Sequence, residues 1–318
     1  MTSFFYRKVR DVLLKYIGPV LCRFEPPLLR TVSWGDTHRD KHFLVIRRSD
    51  KCPGLFSFVT TTLGWINYAV EHNMIPVVDM YTHKNLYSES ILKKRSNVWE
   101  LFFEQPSNFS LEDVRHAHNV TIAYGVSDTI GCFPENFLLR IDSDVRLLSD
   151  WRILASKYIR IKEYVKKKWA CERLECALQS GVIGVLARGT DYVRMKPSNH
   201  PVQPSIIDVI KKVRIKAAEN NFPIFLVTED SDIEQRFKEE FKERLILSGQ
   251  NTIPYSGGFL AECSSVRRNI DRAMLYLNAI YYLSKCQCII TGNVNGAIGA
   301  VLMANDVQDR FVFNLGRY

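Results

Sequence analysis

Short apolar runs alternate with amphipathic stretches along the second half of the sequence. A short apolar run bounded by turn residues is typical of a buried parallel strand, and apolar positions three or four residues apart are typical of a helix. This pattern predicts strands at 182–187, 223–228, 244–248, 288–291 and 310–315. It predicts helices at 204–220, 231–241, 265–284 and 295–304, with Ser231 as an N-cap. Strands and helices in this order predict a doubly wound α/β domain.

The first half of the chain has the same alternation in a less regular form. Apolar runs at 42–46, 75–80 and 119–125 predict three strands, with a helix at 60–71. A strand, a helix and a strand in succession form a βαβ unit, which builds parallel sheets. A chain of 318 residues is longer than a single domain with one hydrophobic core usually is. We therefore predict two domains, 1–178 and 179–318, that face each other across a cleft.

Three other stretches of the first half have a recognisable pattern of apolar, aromatic or basic residues. The longest helical pattern, 151–178, predicts a helix linking the two halves, with a basic face at 166–168 that we expect to be solvated. The aromatic cluster at 99–103 predicts core packing beneath the first sheet. Residues 5–17 place apolar positions at helical spacing between basic ones. We expect a helix docked on its own domain, and the alternative is a helix on an anionic membrane surface.

Composition narrows the class of protein. A formal net charge of +9 favours an anionic partner, either nucleic acid, a membrane surface or a phosphorylated substrate. The eight cysteines are scattered without zinc-site spacing, and the chain shows no signal-peptide pattern, so we expect a reduced, cytoplasmic protein. No apolar run approaches the length that crosses a membrane.

Polar residues follow three of the predicted strands in the second half. The turns are Arg188-Gly189-Thr190-Asp191, Thr228-Glu229-Asp230 and the segment 291–296, which contains Asn293, Asn295 and Gly296. Ligands of open α/β sheets bind outside the carboxyl ends of strands. Arg188 could neutralise a diphosphate, and the helix start at Asn295 offers free N–H groups to an anion. Glu229 and Asp230 could accept hydrogen bonds from a nucleobase or a ribose. We therefore predict a nucleotide-diphosphate pocket.

Other nucleotide and catalytic motifs are absent from the sequence. It contains no GxxxxGK[ST] loop, no GxGxxG after the first strand, no HExxH and no GxSxG. Gly54, at the first strand-to-helix turn, permits close approach of a ligand but is a weak signal on its own.

The three turns resemble the motifs of the fucosyltransferase superfamily, which includes α1,6- and α1,2-fucosyltransferases and protein O-fucosyltransferases. Arg188-Gly189-Thr190-Asp191 after an apolar strand resembles its first motif, and Thr228-Glu229-Asp230 its second nucleotide-binding turn. Residues 283–286, the strand 288–291 and the helix start at Asn295 resemble the third. The resemblance covers most of 180–305, with a looser match at Gly54 and 75–79.

This resemblance implies a GT-B fold and an inverting transfer from a nucleotide-sugar donor to a glycan acceptor, without metal or other cofactor. It implies that Arg188 contacts the diphosphate. The sequence differs from the family motifs at two places that bear on the donor. Leu186 stands where the family has histidine. Asn293, Asn295 and Gly296 stand where the family has serines or a serine and a phenylalanine. GDP-fucose is the default donor, and a different nucleotide sugar is the alternative.

An inverting transferase needs a base for the acceptor hydroxyl. Asp191 and His200 are the candidates, and His200 lies in a loop with three prolines at 197–204. Tyr192 and Arg194 could line the acceptor side. Two alternatives remain, a basic nucleic-acid-binding protein and a catalytically inactive sugar-binding protein of the same fold. We favour the enzyme without a nucleic-acid partner, because the basic residues are spread along the chain and match no reader motif.

Overall fold

The computed structural model describes residues 29–48, 54–82, 85–87, 97–124, 133–254, 265–304 and 309–318, apart from the side chain of Asp191. The predicted helix at 5–17 lies outside these residues. Within them the chain is an α/β protein with two sheets, and both sheets are built mainly from parallel strands.

The first sheet contains four strands in the order β1-β4-β2-β3. They are β1 (Leu29–Val32), β2 (Thr37–Arg47), β3 (Ile75–Val78) and β4 (Ala117–Tyr124). Strand β2 runs parallel to both neighbours, whereas β1 pairs antiparallel with β4. Helix α1 (Leu55–Glu71) connects β2 to β3, as the βαβ pattern predicted. The edge strand β1 was not predicted, because its alternating pattern LRTV spans only four residues.

Two short elements lie between β3 and β4, a 3-10 turn at Val98–Leu101 and helix α2 (Leu111–Val114). The described helices between β4 and the second sheet are α3 (Phe137–Arg140), α4 (Val145–Tyr158), α5 (Glu163–Lys166) and α6 (Glu172–Leu178). The prediction of one helix over 151–178 was therefore wrong. The backbone at 160–162 is extended instead, because Glu104 N–H bonds to Arg160 O and Lys162 N–H bonds to Phe102 O. Tertiary pairing overrides the helical pattern there.

The second sheet contains five parallel strands in the order β7-β6-β5-β8-β9. They are β5 (Ile183–Leu186), β6 (Ile224–Val227), β7 (Leu245–Leu247), β8 (Cys288–Gly292) and β9 (Asp309–Phe313). The helices are α7 (Thr190–Met195), α8 (Ile206–Glu219), α9 (Ser231–Phe241), α10 (Val266–Leu283) and α11 (Asn295–Met303). The prediction that Ser231 is an N-cap is wrong, because the N-cap of α9 is Asp230. The Oδ1 atom of Asp230 accepts from Asp232 N–H and Ile233 N–H.

Helices cover both faces of the second sheet. Val209 of α8 and Phe237 of α9 share a core cluster with Val185, while Leu277 of α10 and Ala297 of α11 belong to a larger cluster on the opposite face. This is the doubly wound arrangement that the sequence predicted.

The larger core cluster runs across both halves of the chain. It joins Leu44 of the first sheet and the aromatic residues Trp99, Phe102 and Phe103 to the helices α10 and α11. The prediction that these aromatic residues pack in the core is confirmed, since all three are fully buried. Helices α10 and α11 both join the halves, because α11 packs against α1 and α4 and α10 packs against α5.

Candidate functional site

The carboxyl ends of β5 and β8 lie side by side in the second sheet, with Leu186 opposite Thr291. From this point the strand order runs outward in both directions, and helices α8 and α11 leave on opposite faces. Such a switch point opens a crevice outside the strand ends. Arg188 follows β5 and Asn293 follows β8, so the first and third predicted turns lie together at this switch point, where such a crevice is expected.

The second predicted turn holds the first one in place. Glu229 Oε1 accepts from Gly189 N–H and from Thr190 Oγ1, both at 3.1 Å. Asp230 Oδ2 accepts from Thr190 N–H at 2.8 Å. A β-carbon on Gly189 would collide with the Asp230 carboxylate, so a larger residue could not occupy this position without displacing the pair. The buried Thr228 hydroxyl accepts in turn from Asp230 N–H at 3.2 Å.

The Arg188 side chain is held by three groups. Its Nε lies 3.3 Å from Glu229 Oε1, and its guanidinium lies 4.6 Å from the centre of the Tyr192 ring. It also donates a hydrogen bond to the Tyr276 hydroxyl. About a quarter of the side chain, 23%, is exposed. Arg188 is therefore a fixed charge at the crevice with a solvent-accessible part.

Tyr276 of α10 joins the parts of the site. Its hydroxyl contacts Arg188 on one side and lies against the backbone of Gly296, where a β-carbon would collide with it. Its ring packs edge-on to Phe56 in the first turn of α1, with centroids 5.5 Å apart. Burial raises the pKa of Tyr276 to about 12, so the hydroxyl is protonated at neutral pH. One side chain thus contacts Arg188, the start of α11 and the start of α1.

Helix α11 begins at this site without a side-chain cap among the described residues. The N–H groups of Ala297 and Ile298 bond to Val294 O, and the helix dipole adds partial positive charge at the first turn. Asn293 and Asn295 are half-buried beside it. At the other end, Arg152 Nε donates to Val301 O at 2.9 Å. The amino end of α11 therefore has the chemistry of an anion site.

Gly54 precedes α1 and is exposed, and a β-carbon there would meet no described atom. Glycine is thus not required at this position by contact with the described residues. The first amide of α1, Leu55 N–H, donates to the buried Tyr87 hydroxyl. Burial raises the pKa of Tyr87 above its usual range.

His200 lies at the rim of the site, in the loop that follows α7. Its ring stands edge-on to Tyr192, with centroids 5.5 Å apart. Its Nδ1 lies 3.0 Å from Ser198 O, and because a carbonyl oxygen only accepts, this bond places the proton on Nδ1. In the neutral ring, Nε2 then carries the lone pair that a base requires. Asp191 lies in the first turn of α7, and Arg194 is exposed in its last turn.

Two site residues were missed by sequence reasoning. Tyr276 and Tyr87 read as ordinary aromatic positions, and only Gly296, whose missing side chain accommodates the Tyr276 hydroxyl, carried a signal. Tyr192 was expected on the acceptor side, and the structure places its ring against Arg188. Among the described residues, no group of three or more His, Cys, Asp or Glu side chains could hold a metal ion. No described helix has the length and apolar character to cross a membrane.

Comparison with known proteins gives structural matches only. No family model matches the sequence, and no curated protein does. Fucosyltransferase NodZ from Bradyrhizobium is 15% identical, with 82% of this chain and 92% of that chain covered, at a TM-score of 0.46. A mutant of Arabidopsis thaliana FUT1 in complex with GDP is 8% identical, with 86% and 70% covered, at a TM-score of 0.48. POFUT1 in complex with GDP is 10% identical, with 86% and 99% covered, at a TM-score of 0.44.

These three solved structures are fucosyltransferases by name.

Proposed function

We propose that the chain is a glycosyltransferase of GT-B architecture that moves a sugar from a nucleoside diphosphate to a glycan hydroxyl, with GDP-fucose as the default donor. The observation that carries the proposal is the position of the Tyr276 hydroxyl, between the Arg188 guanidinium and the first turn of α11. These two cationic features, distant in sequence, converge at the switch point of the second sheet. A diphosphate is the ligand that this pairing of a guanidinium with a helix amino end fits.

The transfer leaves negative charge on the departing diphosphate. A guanidinium held by Glu229, Tyr192 and Tyr276 costs little reorganisation as that charge develops, and the helix amides add hydrogen-bond donors. Protonated at neutral pH, the Tyr276 hydroxyl can donate as well. These groups support an inverting, metal-independent transfer.

The nucleoside would lie beside the second turn. Glu229 Oε1 and Asp230 Oδ1 each already accept two hydrogen bonds. Since a carboxylate oxygen has two acceptor positions, Glu229 Oε2 and Asp230 Oδ2 keep acceptor capacity within the described part of the chain. We assign the ribose or base to their remaining acceptor positions, with Asn293 and Asn295 on the other side of the crevice. The first half would contribute through α1, whose Phe56 ring already touches Tyr276.

The base would be Asp191 or His200. His200 is the better placed of the two on the described side chains, because its Nε2 lone pair is available at the rim, next to Tyr192. Its exposure allows a glycan acceptor to reach it.

The test is calorimetric titration of GDP into the wild-type chain and Arg188→Ala. Charge-assisted hydrogen bonds contribute about 1.5–3 kcal/mol, so Arg188→Ala should weaken GDP affinity by roughly 10- to 150-fold. Arg188→Lys should recover part of the loss, since it keeps the charge but not the planar fork. Arg214→Ala is the matched control, because Arg214 also pairs with a glutamate, Glu240, at the surface of α8.

Unchanged GDP affinity in folded Arg188→Ala would refute the diphosphate assignment. A wild-type chain that binds UDP or ADP but not GDP would keep the transferase and replace the donor. Salt-sensitive binding of random oligonucleotides without nucleotide-sugar binding would instead favour the nucleic-acid alternative.

A further inference from the structure

The first sheet carries a cleft on the face opposite α1. It has a volume of about 320 Å³ and is lined by Trp34, Arg47, Asp79, Tyr81 and Arg115, among others. Successive strand residues point to opposite faces of a sheet. Leu44 and Ile46 of β2 therefore belong to the core shared with α1, whereas Phe43, Val45 and Arg47 face the other way. None of the residues that line this cleft belongs to the site at Arg188.

Arg47 is fixed in this cleft by a buried carboxylate. Asp79 is fully buried, and its Oδ2 accepts from Arg47 Nε and from Thr82 Oγ1, both at 2.6 Å. Its Oδ1 accepts from the N–H groups of Tyr81 and Thr82. Burial alone would raise the pKa of Asp79, but the Arg47 charge and these hydrogen bonds lower it. Asp79 is therefore ionised at neutral pH and holds the guanidinium plane in one orientation.

The outer part of Arg47 remains able to bind a ligand. Only its Nε makes a hydrogen bond within the described part of the chain, and 18% of the side chain is exposed in the cleft. A planar guanidinium whose Nε is occupied presents its two terminal nitrogens as donors.

A second guanidinium faces the same cleft. Arg115 is 51% exposed and pairs with Glu112 one helical turn away, a surface contact of small energy that a ligand can replace. Each arginine also lies beside an aromatic ring, Arg47 at 5.7 Å from the Trp34 centroid and Arg115 at 5.9 Å from that of Tyr81. Trp34 and Tyr81 are both half-buried, so each contributes apolar surface to the wall.

We propose that this cleft binds an acidic sugar, a sugar ring that carries a carboxylate, sulfate or phosphate group. The two guanidinium groups match an oxyanion, and Trp34 and Tyr81 supply apolar surface for the C–H face of the ring. The volume lies at the lower end of small-ligand sites, which fits one sugar residue rather than a chain. The net charge of +9 attracts such a ligand.

The test is saturation-transfer NMR and calorimetry with glucuronate, glucose 6-sulfate and glucose 6-phosphate, against glucose as the neutral control. The acidic sugars should bind saturably and glucose should not. Arg115→Ala should weaken their binding at least tenfold, and Trp34→Ala should weaken it by several-fold. Arg39→Ala is the matched control, because Arg39 is likewise exposed and pairs with an acid three residues away, Asp36, outside the cleft. It should leave binding unchanged.

The proposal would be overturned by the absence of saturable binding for every acidic sugar, by equal effects of Arg115→Ala and Arg39→Ala, or by equal affinity for glucose. Inorganic phosphate that binds as tightly as glucose 6-phosphate would also overturn it, by showing an anion site without sugar recognition. The three acidic sugars distinguish which oxyanion the cleft prefers. GDP affinity should be the same in Arg115→Ala as in the wild type, which separates this cleft from the crevice at Arg188.

Discussion

Tyr276 illustrates how one buried hydroxyl can organise a binding site. It lies against the Gly296 backbone, where any side chain would displace it, and it accepts a hydrogen bond from Arg188. Burial disfavours its ionised form, and so the hydroxyl keeps its proton until the pH approaches 12. Because its folded pKa exceeds the ordinary value of 10.0, its contribution to stability is complete below pH 10 and decreases between pH 10 and 12.

Removal of this hydroxyl should loosen the site without disturbing the fold. Tyr276→Phe retains the ring that packs against Phe56 but leaves Arg188 without one of its three supports. A hydrogen bond of this kind contributes about 1 kcal/mol, so GDP affinity should fall roughly fivefold, as measured by calorimetry.

Tyr281→Phe, on the same helix, is the control, because Tyr281 contacts Lys166 and Lys285 rather than the site. Equal GDP affinities in Tyr276→Phe and Tyr281→Phe would show that the Tyr276 hydroxyl does not support the nucleotide.

Some residues of the candidate site could be predicted from the sequence and others could not. Arg188, Gly189 and Asn295 are recognisable because they interrupt an apolar strand or open a helix. Tyr276 is not, since its role depends on which helix lies across Gly296, and that contact joins residues 20 positions apart through tertiary packing. The same holds for Trp34 and Arg47, which meet only once β2 is paired in the sheet.

At the level of elements, α11 is defined by its small residues. Phe56 of α1 lies directly on Gly299, where a β-carbon would collide with the ring. The close approach of α1 and α11 therefore depends on a large side chain at Phe56 and on the absence of a side chain at Gly299. This contact also fixes the distance between the first turn of α1 and the candidate site.

Gly299→Ala should consequently destabilise the protein. Overpacking a core contact costs about 1–3 kcal/mol, which urea denaturation would show as a lower midpoint at unchanged slope. The double variant Phe56→Ala, Gly299→Ala should lose less than the sum of the two single variants, because each change accommodates the other. Additive losses would show that the two residues do not constrain each other.

The elements of the second half were predicted closely, and those of the first half less so. Five strands and four long helices of the second half lie within a few residues of the prediction, because each parallel strand is a continuous apolar run between amphipathic helices. In the first half, β1 is too short to give a pattern, and 151–178 breaks where residues 160–162 pair with 102–104. The spacing of apolar residues along the chain does not predict such long-range backbone hydrogen bonds.

On the scale of the whole molecule, the last described residues connect the His200 loop to the first half. Asn199 N–H bonds to Tyr318 O, and Val202 N–H bonds to Gly316 O. Arg317 donates to Asn199 O at 3.0 Å and to Glu135 Oε1 at 2.8 Å. Residues 316–318 thus lie between the loop that carries His200 and the residues that precede α3.

Arg317→Ala should release this loop while leaving both sheets intact. Two of the backbone bonds that would open are those of Asn199 and Val202, so their amides should exchange with solvent at least several-fold faster in native-state hydrogen exchange. Amides of β5 and β8 should keep their wild-type rates, because those strands lie in the centre of the second sheet. Arg214→Ala, which removes another surface arginine paired with a glutamate, should leave all these rates unchanged. If exchange at Asn199 and Val202 were the same in the Arg317→Ala and Arg214→Ala variants, the backbone pairing alone would hold the loop, and Arg317 would not determine where His200 lies.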